Sequence, residues 1–181
     1  IKRDRATSNI CTAQVLLAVM ASMYAVYHGP KGLRYIAKKV QRNTVILAKS
    51  LEAAGLKLKH SHFFDTFQIS IPDSQKIQKI ALDNEINFHY PDKKSISISI
   101  NETTTHKDLE LIVSIFSKAL SLKIQLQPFS NQSIPSDHMR SSDFLSTAVF
   151  NSYHSETELM RYIKRLERKD LALNYSMICL L

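Results

Sequence analysis

Apolar residues recur along this chain with two different periods, and each period predicts its own kind of element. From Val15 to Tyr27 they fill nearly every position, interrupted by Ser22. A helix apolar on all sides is expected between layers. Ser8 or Asn9 is placed to cap that helix, and Gly29-Pro30 to end it. A second helix is predicted from about Lys31 to Ala54. There Leu33, Ile36, Ala37, Val40, Thr44, Leu47, Ala48 and Leu51 form one stripe at helical spacing, and Gly55 supplies the stop.

The period then shortens to two. Leu56 to His60 and Phe63 to Ile71 read as strands, the second alternating Phe63, Asp65, Phe67, Ile69 and Ile71 with Phe64, Thr66, Gln68 and Ser70. Pro72 and Asp73 break the strand and start a helix with the narrow seam Ile77, Ile80, Ala81. Ile86 to Tyr90 reads as a strand edge ahead of Pro91, and Ser95 to Ile100 alternates isoleucine with serine, the mark of a sheet covered on one face and wet on the other. Thr105 and Asp108 have capping spacing, ahead of a helix lined by Leu109, Ile112, Val113, Phe116 and Leu120. From Gly55 the order is thus β-β-α-β-β-α. The expected fold class is α+β: a small antiparallel sheet with helices on one face, plus a carboxy-terminal helical segment.

Lys123 to Ser142 is rich in Gln, Ser, Asn and Pro and reads as a linker. Beyond it Ser155 and Glu158 have capping-box spacing, and Leu159, Tyr162, Ile163 and Leu166 form the seam of a last helix. A module this small cannot hold a core alone, so the seam is expected to dock on its own domain or on a partner surface.

At 181 residues and 44% hydrophobic, the chain has enough apolar side chains for one ordinary domain with an appended helical segment. The longest apolar run falls short of the ~20 residues of a membrane span, and no basic-then-apolar leader opens the sequence. A soluble intracellular protein without a membrane partner is expected. Cys11 and Cys179 stand at opposite ends with no CxxC or CxxH neighbour, which favours reduced thiols over a disulfide or zinc site. The formal charge of +8 raises nucleic acid as a partner. Its carriers, Lys31, Arg34, Lys38, Lys39 and Arg42 on one helix and Lys164, Arg165, Arg168 and Lys169 on another, fall on polar helix positions. A solvated face accounts for them, and no nucleic-acid partner is expected.

Candidate chemistry is sparse. His60 and His62, two apart on a predicted strand, could begin a metal site but have no third ligand nearby; a polar strand edge is the simpler reading. His154 with Glu156 and Glu158 suggests acid-base or metal chemistry, yet the glutamates suit a helix start. Cys11 lies in an apolar helix with no base at a favourable spacing. Three glycines cannot make a glycine-rich phosphate loop. Catalytic, cofactor-binding and metal-ligating residues are therefore expected to be absent. The polar turn Asn151, Ser152, Tyr153, His154 has no local capping explanation beyond Ser152 and is the one candidate for the edge of an active site.

Several segments carry a resemblance. Phe150 to Ile178 (FNSYHSETELMRYIKRLERKDLALNYSMI), Arg5 to Gln14 (RATSNICTAQ), Met23 to Gly32 (MYAVYHGPKG), Phe63 to Thr66 (FFDT) and Ser99 to Thr105 (SINETTT) stand in the order and rough spacing of glycine dehydrogenase (decarboxylating), the P-protein of the glycine cleavage system. The chain resembles a fragment running from the end of the amino-terminal half into the start of the carboxy-terminal half. The resemblance implies the small domain of a fold-type I pyridoxal-phosphate transferase. On that reading residues 1–28 are a connecting helix, 29–122 the small domain, 123–143 a linker and 144–181 the helical start of the carboxy-terminal half.

It also implies, for the full-length family, decarboxylation of glycine with pyridoxal phosphate and transfer of the aminomethyl group to the lipoyl H-protein. The family's Schiff-base lysine lies in the carboxy-terminal half and outside this sequence, so no cofactor is expected on this chain alone. The implied partners are the carboxy-terminal half or another copy, with H-protein reached through the complete enzyme. The implied compartment is cytoplasmic in a bacterium and the mitochondrial matrix in a eukaryote. A noncatalytic interaction domain of P-protein descent, or a degenerate remnant, is the alternative.

Overall fold

The longest helix of the protein is broken at its one Gly-Pro step. In a computed structural model, which describes residues 12–130, 134–169, 171 and 174, helix α1 spans Thr12–Ala53 and leaves helical geometry at Gly29. Strands β1 (Lys57–Leu58) and β2 (Thr66–Ser70), helix α2 (Ser74–Asp83), strands β3 (His89–Asp92) and β4 (Ser95–Ser99), and helices α3 (His106–Leu120) and α4 (Glu156–Glu167) follow. Ser8, Asn9, Cys11 and Cys179 lie outside the described residues. The chain divides into two units, residues 35–141 and residues 1–34 with 142–181.

The first of these units holds the sheet. Its strands are antiparallel in the order β1-β2-β4-β3. Phe67 lies opposite Ile98 and Ile69 opposite Ile96, all four buried, while Thr66 faces Ser99 and Gln68 faces Ser97 on the other side. The expected division into a covered and a wet face is thus realised. On the wet face side chains bond across strands: the Thr66 and Ser99 hydroxyls are 2.8 Å apart, and Gln68 Nε2 donates to Ser95 Oγ at 3.0 Å. Strand β3 runs through Pro91, past the end expected for it. Because β3 is an edge strand, a residue without an N–H costs it no second ladder, and its pairing with β4 shifts register between His89 and Asp92.

The covered face packs against the later part of α1 and against α2 and α3 in one cluster that includes Leu47, Leu51, Ile77, Leu109, Ile112 and Phe116. The stripe predicted for α1 widens here. Thr44, Val45, Ile46, Leu47 and Ala48 are consecutive and all buried. Helices α2 and α3 start where the sequence provides a cap. The Asp73 carboxylate accepts from Gln75 N at 3.1 Å, and Thr105 and Asp108 form a reciprocal capping box. The polar stretch after α3 does not leave the core at once: Ile124 is buried, and Gln127 N donates to the buried Ser50 Oγ at 2.8 Å.

Two expectations need correction. Most of the apolar part of α1 is not buried: Leu16 and Leu17 are 63% and 66% exposed, and Val15, Val19, Met20 and Tyr24 are exposed as well, while Val26 near the break is buried. Hydrophobicity all round a helix tells that it suits burial, not that the covering surface lies in the same chain. His60 and His62 are not on a strand, since β1 ends at Leu58 and both sit exposed in the loop before β2. Among the described residues no group of three metal-binding side chains forms.

Leu47 and Phe116 are fully buried in the shared core. Replacing either by Ala should cost roughly 2–5 kcal/mol, read as a lower denaturant midpoint at unchanged slope. An unchanged midpoint would show that the side chain does not fill this core.

Candidate functional site at the Gly29 break

Gly29 has φ 59° and ψ −177°, a combination confined to glycine because a Cβ would collide with the backbone. Pro30 follows and has no N–H for the Val26 carbonyl four residues back, and the non-helical backbone at Gly29 interrupts the ladder around it. One donor comes from far along the chain. His154 Nδ1 lies 2.8 Å from the Tyr27 carbonyl oxygen. A carbonyl only accepts, so Nδ1 carries the proton, and a neutral ring has its lone pair on Nε2. The space that glycine leaves is filled: a Cβ at position 29 would stand 2.6 Å from His154 Cε1 and 2.6 Å from the Phe150 carbonyl oxygen.

The turn that delivers His154 is held by its own side chains. Leu145 adopts φ 52°, unusual for a branched residue. Asn151 Nδ2 secures that bend by donating to the carbonyls of Leu145 at 2.9 Å and Thr147 at 3.0 Å, and Ser152 Oγ donates to Ala148 O at 2.7 Å. Tyr153 stacks on Tyr162 of α4 with centroids 4.3 Å apart and planes 14° from parallel. Arg165 lies over the Tyr153 ring at 5.5 Å and reaches its hydroxyl at 3.3 Å. Ser155 and Glu158 close the capping box that starts α4. Each of the four polar residues predicted from sequence therefore has a packing or hydrogen-bonding partner, and the structure brings them together with Tyr27 and Gly29. Glu158 is engaged in the cap, and among the described residues no metal cluster includes it.

A second polar cluster escaped the reading of catalytic side chains, although its residues were visible as motifs. The FFDT and SINETTT segments meet at one end of the sheet, where Ile100 N donates to Asp65 O at 2.9 Å. Asn101 Oδ1 accepts from the backbone N–H groups of Thr103 and Thr104, each at 3.1 Å, and from both of their hydroxyls. From α1, Asn43 Nδ2 donates to Thr104 O at 3.1 Å and Lys39 Nζ to Glu102 O at 2.9 Å. These contacts fix a corner. None of them sets a nucleophile beside a base.

Pyridoxal phosphate needs a lysine for its aldehyde and donors or cations for its phosphate. A cavity of about 370 Å³ at the β3–β4 edge is lined by Phe88, His89, Ser97, Ser99, Thr104 and Asp108 among others, with a carboxylate and no Lys or Arg, whereas open cavities of about 460 Å³ and 290 Å³ include Lys118 and Lys123 in their linings. Gly29 is filled by His154 and Phe150, and Gly32 lies against the His28 side chain.

Comparison with known proteins agrees with the motifs. Residues 1–116 match the family described as glycine cleavage system P-protein. The chain is 54% identical over 99% of its length to a glycine dehydrogenase (decarboxylating) of Flavobacterium johnsoniae and 46% identical over 98% of its length to the mitochondrial glycine dehydrogenase (decarboxylating) of Mus musculus. It spans 19% and 18% of those proteins, about a fifth of their length. A crystal structure of inhibitor-bound glycine decarboxylase (P-protein) of the glycine cleavage system superimposes on 66% of this chain and 29% of its own, with a TM-score of 0.54 and 26% identity. No described helix is long and apolar enough to cross a membrane.

The motif corner carries a pH signature. Hydrogen bonds from the Thr105 N–H and hydroxyl hold Asp108 below the ordinary aspartate value of 3.8, and the Lys94 N–H and Ser95 hydroxyl do the same for Asp92. A lowered folded-state pKa contributes stability that is present above 3.8 and lost as pH falls through the folded value. Asp92→Asn combined with Asp108→Asn should lower the denaturant midpoint near neutral pH, and the difference from the parent chain should shrink as pH falls below the ordinary aspartate value of 3.8. A midpoint difference independent of pH would show that neither carboxylate is engaged.

Proposed function

Because this chain belongs to the glycine cleavage system P-protein family, we propose that it is a structural segment of a glycine dehydrogenase that decarboxylates glycine and passes the aminomethyl group to lipoyl H-protein. One observation supports this above all: similarity to glycine dehydrogenases runs across 99% of the chain, through both units, the polar stretch included. In this reading residues 29–122 are the small domain of the amino-terminal half, 123–143 the linker and 144–181 the opening of the carboxy-terminal half. The cofactor chemistry belongs to residues beyond this chain, where the family resemblance puts the Schiff-base lysine.

What the chain contributes is scaffold and surface. The exposed apolar part of α1, from Val15 to Tyr24, and the half-buried seam Leu159, Tyr162 and Leu166 of α4 are faces on which the rest of the polypeptide, or another copy, packs. The turn Asn151 to His154 lies at the edge of the active site of the complete enzyme. The compartment is that of the relatives, the cytoplasm of a bacterium or the matrix of a mitochondrion. The alternative, a noncatalytic interaction domain, draws on the fact that the 35–141 unit already has a closed core of its own.

Two measurements test the reading. Native extract probed with an antibody to this chain should show a species roughly five times its mass, cofractionating with glycine decarboxylation dependent on H-protein, since the relatives are about that much longer. A native species of 20.7 kDa without that activity would favour the interaction domain. Incubating the isolated chain with pyridoxal phosphate and then borohydride should give no site-specific pyridoxyl-lysine. A stoichiometric adduct at one lysine would overturn the division of labour proposed here.

A further inference from the structure

The break in α1 and the turn before α4 are complementary at three points. First, the notch at Gly29 has room for no side chain of its own, because the His154 ring and the Phe150 carbonyl stand 2.6 Å from where a Cβ would be. Second, the Tyr27 carbonyl, at the end of a turn interrupted by Pro30, takes its hydrogen bond from His154 Nδ1 at 2.8 Å. Third, the residue next to that histidine is fastened to α4, since Tyr153 stacks on Tyr162 and carries Arg165 over its ring. The turn itself is prebuilt by Asn151 and Ser152 against the left-handed Leu145.

We propose that the Gly29 notch is a docking site for the Phe150–His154 turn, and that His154 is the positioning residue that locks α4 to the break in α1. The lock joins residues 127 positions apart in sequence. The hydrogen bond fixes the proton on Nδ1 and leaves Nε2 as the ring's acceptor. Gly29 serves the lock twice: its backbone makes the break beside that carbonyl, and its missing side chain admits the ring. α4 has no fully buried residue and its seam is only half-buried, so this joint and the Tyr153 stack are expected to contribute strongly to its attachment. In the reading proposed above, the lock would tie the amino-terminal half to the first helix of the carboxy-terminal half, but the geometry stands on this chain alone and is tested on it.

The test is limited trypsinolysis of the full 181-residue chain, following cleavage after Arg161, Lys164, Arg165 and Arg168. His154→Ala leaves every backbone angle permissible. It should raise cleavage within α4 about tenfold, while the 35–141 core stays protected. His154→Asn, whose amide nitrogen stands where Nδ1 does, should return the rate toward that of the parent chain. Gly29→Ala should open α4 as His154→Ala does. If Gly29→Ala fails to fold, the histidine variants decide the matter. Nitrogen-15 spectra of the neutral ring give a second readout, with His154 expected as the Nδ1–H tautomer. Cleavage of His154→Ala at the parent rate, cleavage of His154→Asn as fast as the alanine variant, or an Nε2–H ring would each overturn the lock.

Discussion

The structure depends on one arrangement, the burial of a single sheet face under the second part of α1. Phe67, Ile69, Ile96 and Ile98 point one way, and Leu47, Ala48, Leu51, Ile77, Leu109 and Phe116 close over them. A sheet of four short strands has little stability unless its apolar face is covered. The helices supply that cover. The opposite face is left with Thr, Gln and Ser side chains that bond across the strands. Everything else in the 35–141 unit serves this layer: capping residues start α2 and α3 over the sheet, and the Asn101 to Thr105 corner turns the chain from β4 into α3 while its carbonyls hold Lys39 and Asn43 of α1.

Because α1 continues outside this layer, the break at Gly29 matters. On one side of it, from Tyr35 on, the helix belongs to the core unit; on the other it belongs with residues 142–181. Its apolar surface there stays open within this chain, and that is the physical reason for reading the chain as scaffold. A helix with exposed Leu16, Leu17 and Met20 and no formal charge between Ala6 and Pro30 suits a larger assembly better than solvent.

Local signals carried most of the fold in the sequence. Asp73, the Thr105–Asp108 pair and the Ser155–Glu158 pair mark helix starts because a cap is chemistry between residues a few positions apart, and the Ile-Ser alternation of β4 marks a half-covered strand for the same reason. What sequence could not show is contact at a distance. Gly29-Pro30 announces a helix stop, but nothing local says that His154 will fill the notch. Asn151 to His154 stood out as polar residues without a local task, and their tasks proved to be nonlocal in part, with His154 bonding to α1 and Tyr153 to α4. Pro91 misplaced β3 because a proline excludes only a paired N–H, and an edge strand has one side to spare. The exposed first part of α1 was misread because hydrophobicity is a property of the helix, whereas burial also needs a partner.

The central claim is that the 35–141 unit is a preformed scaffold, complete in its core without cofactor. Hydrogen exchange of the isolated chain, measured with and without added pyridoxal phosphate, tests it most directly. The account predicts that the amides of Val45 to Leu51, β2, β4 and α3 exchange slowly, as one cooperative unit, and identically in both conditions. Fast exchange in that core, with protection appearing only when the cofactor is added, would contradict it.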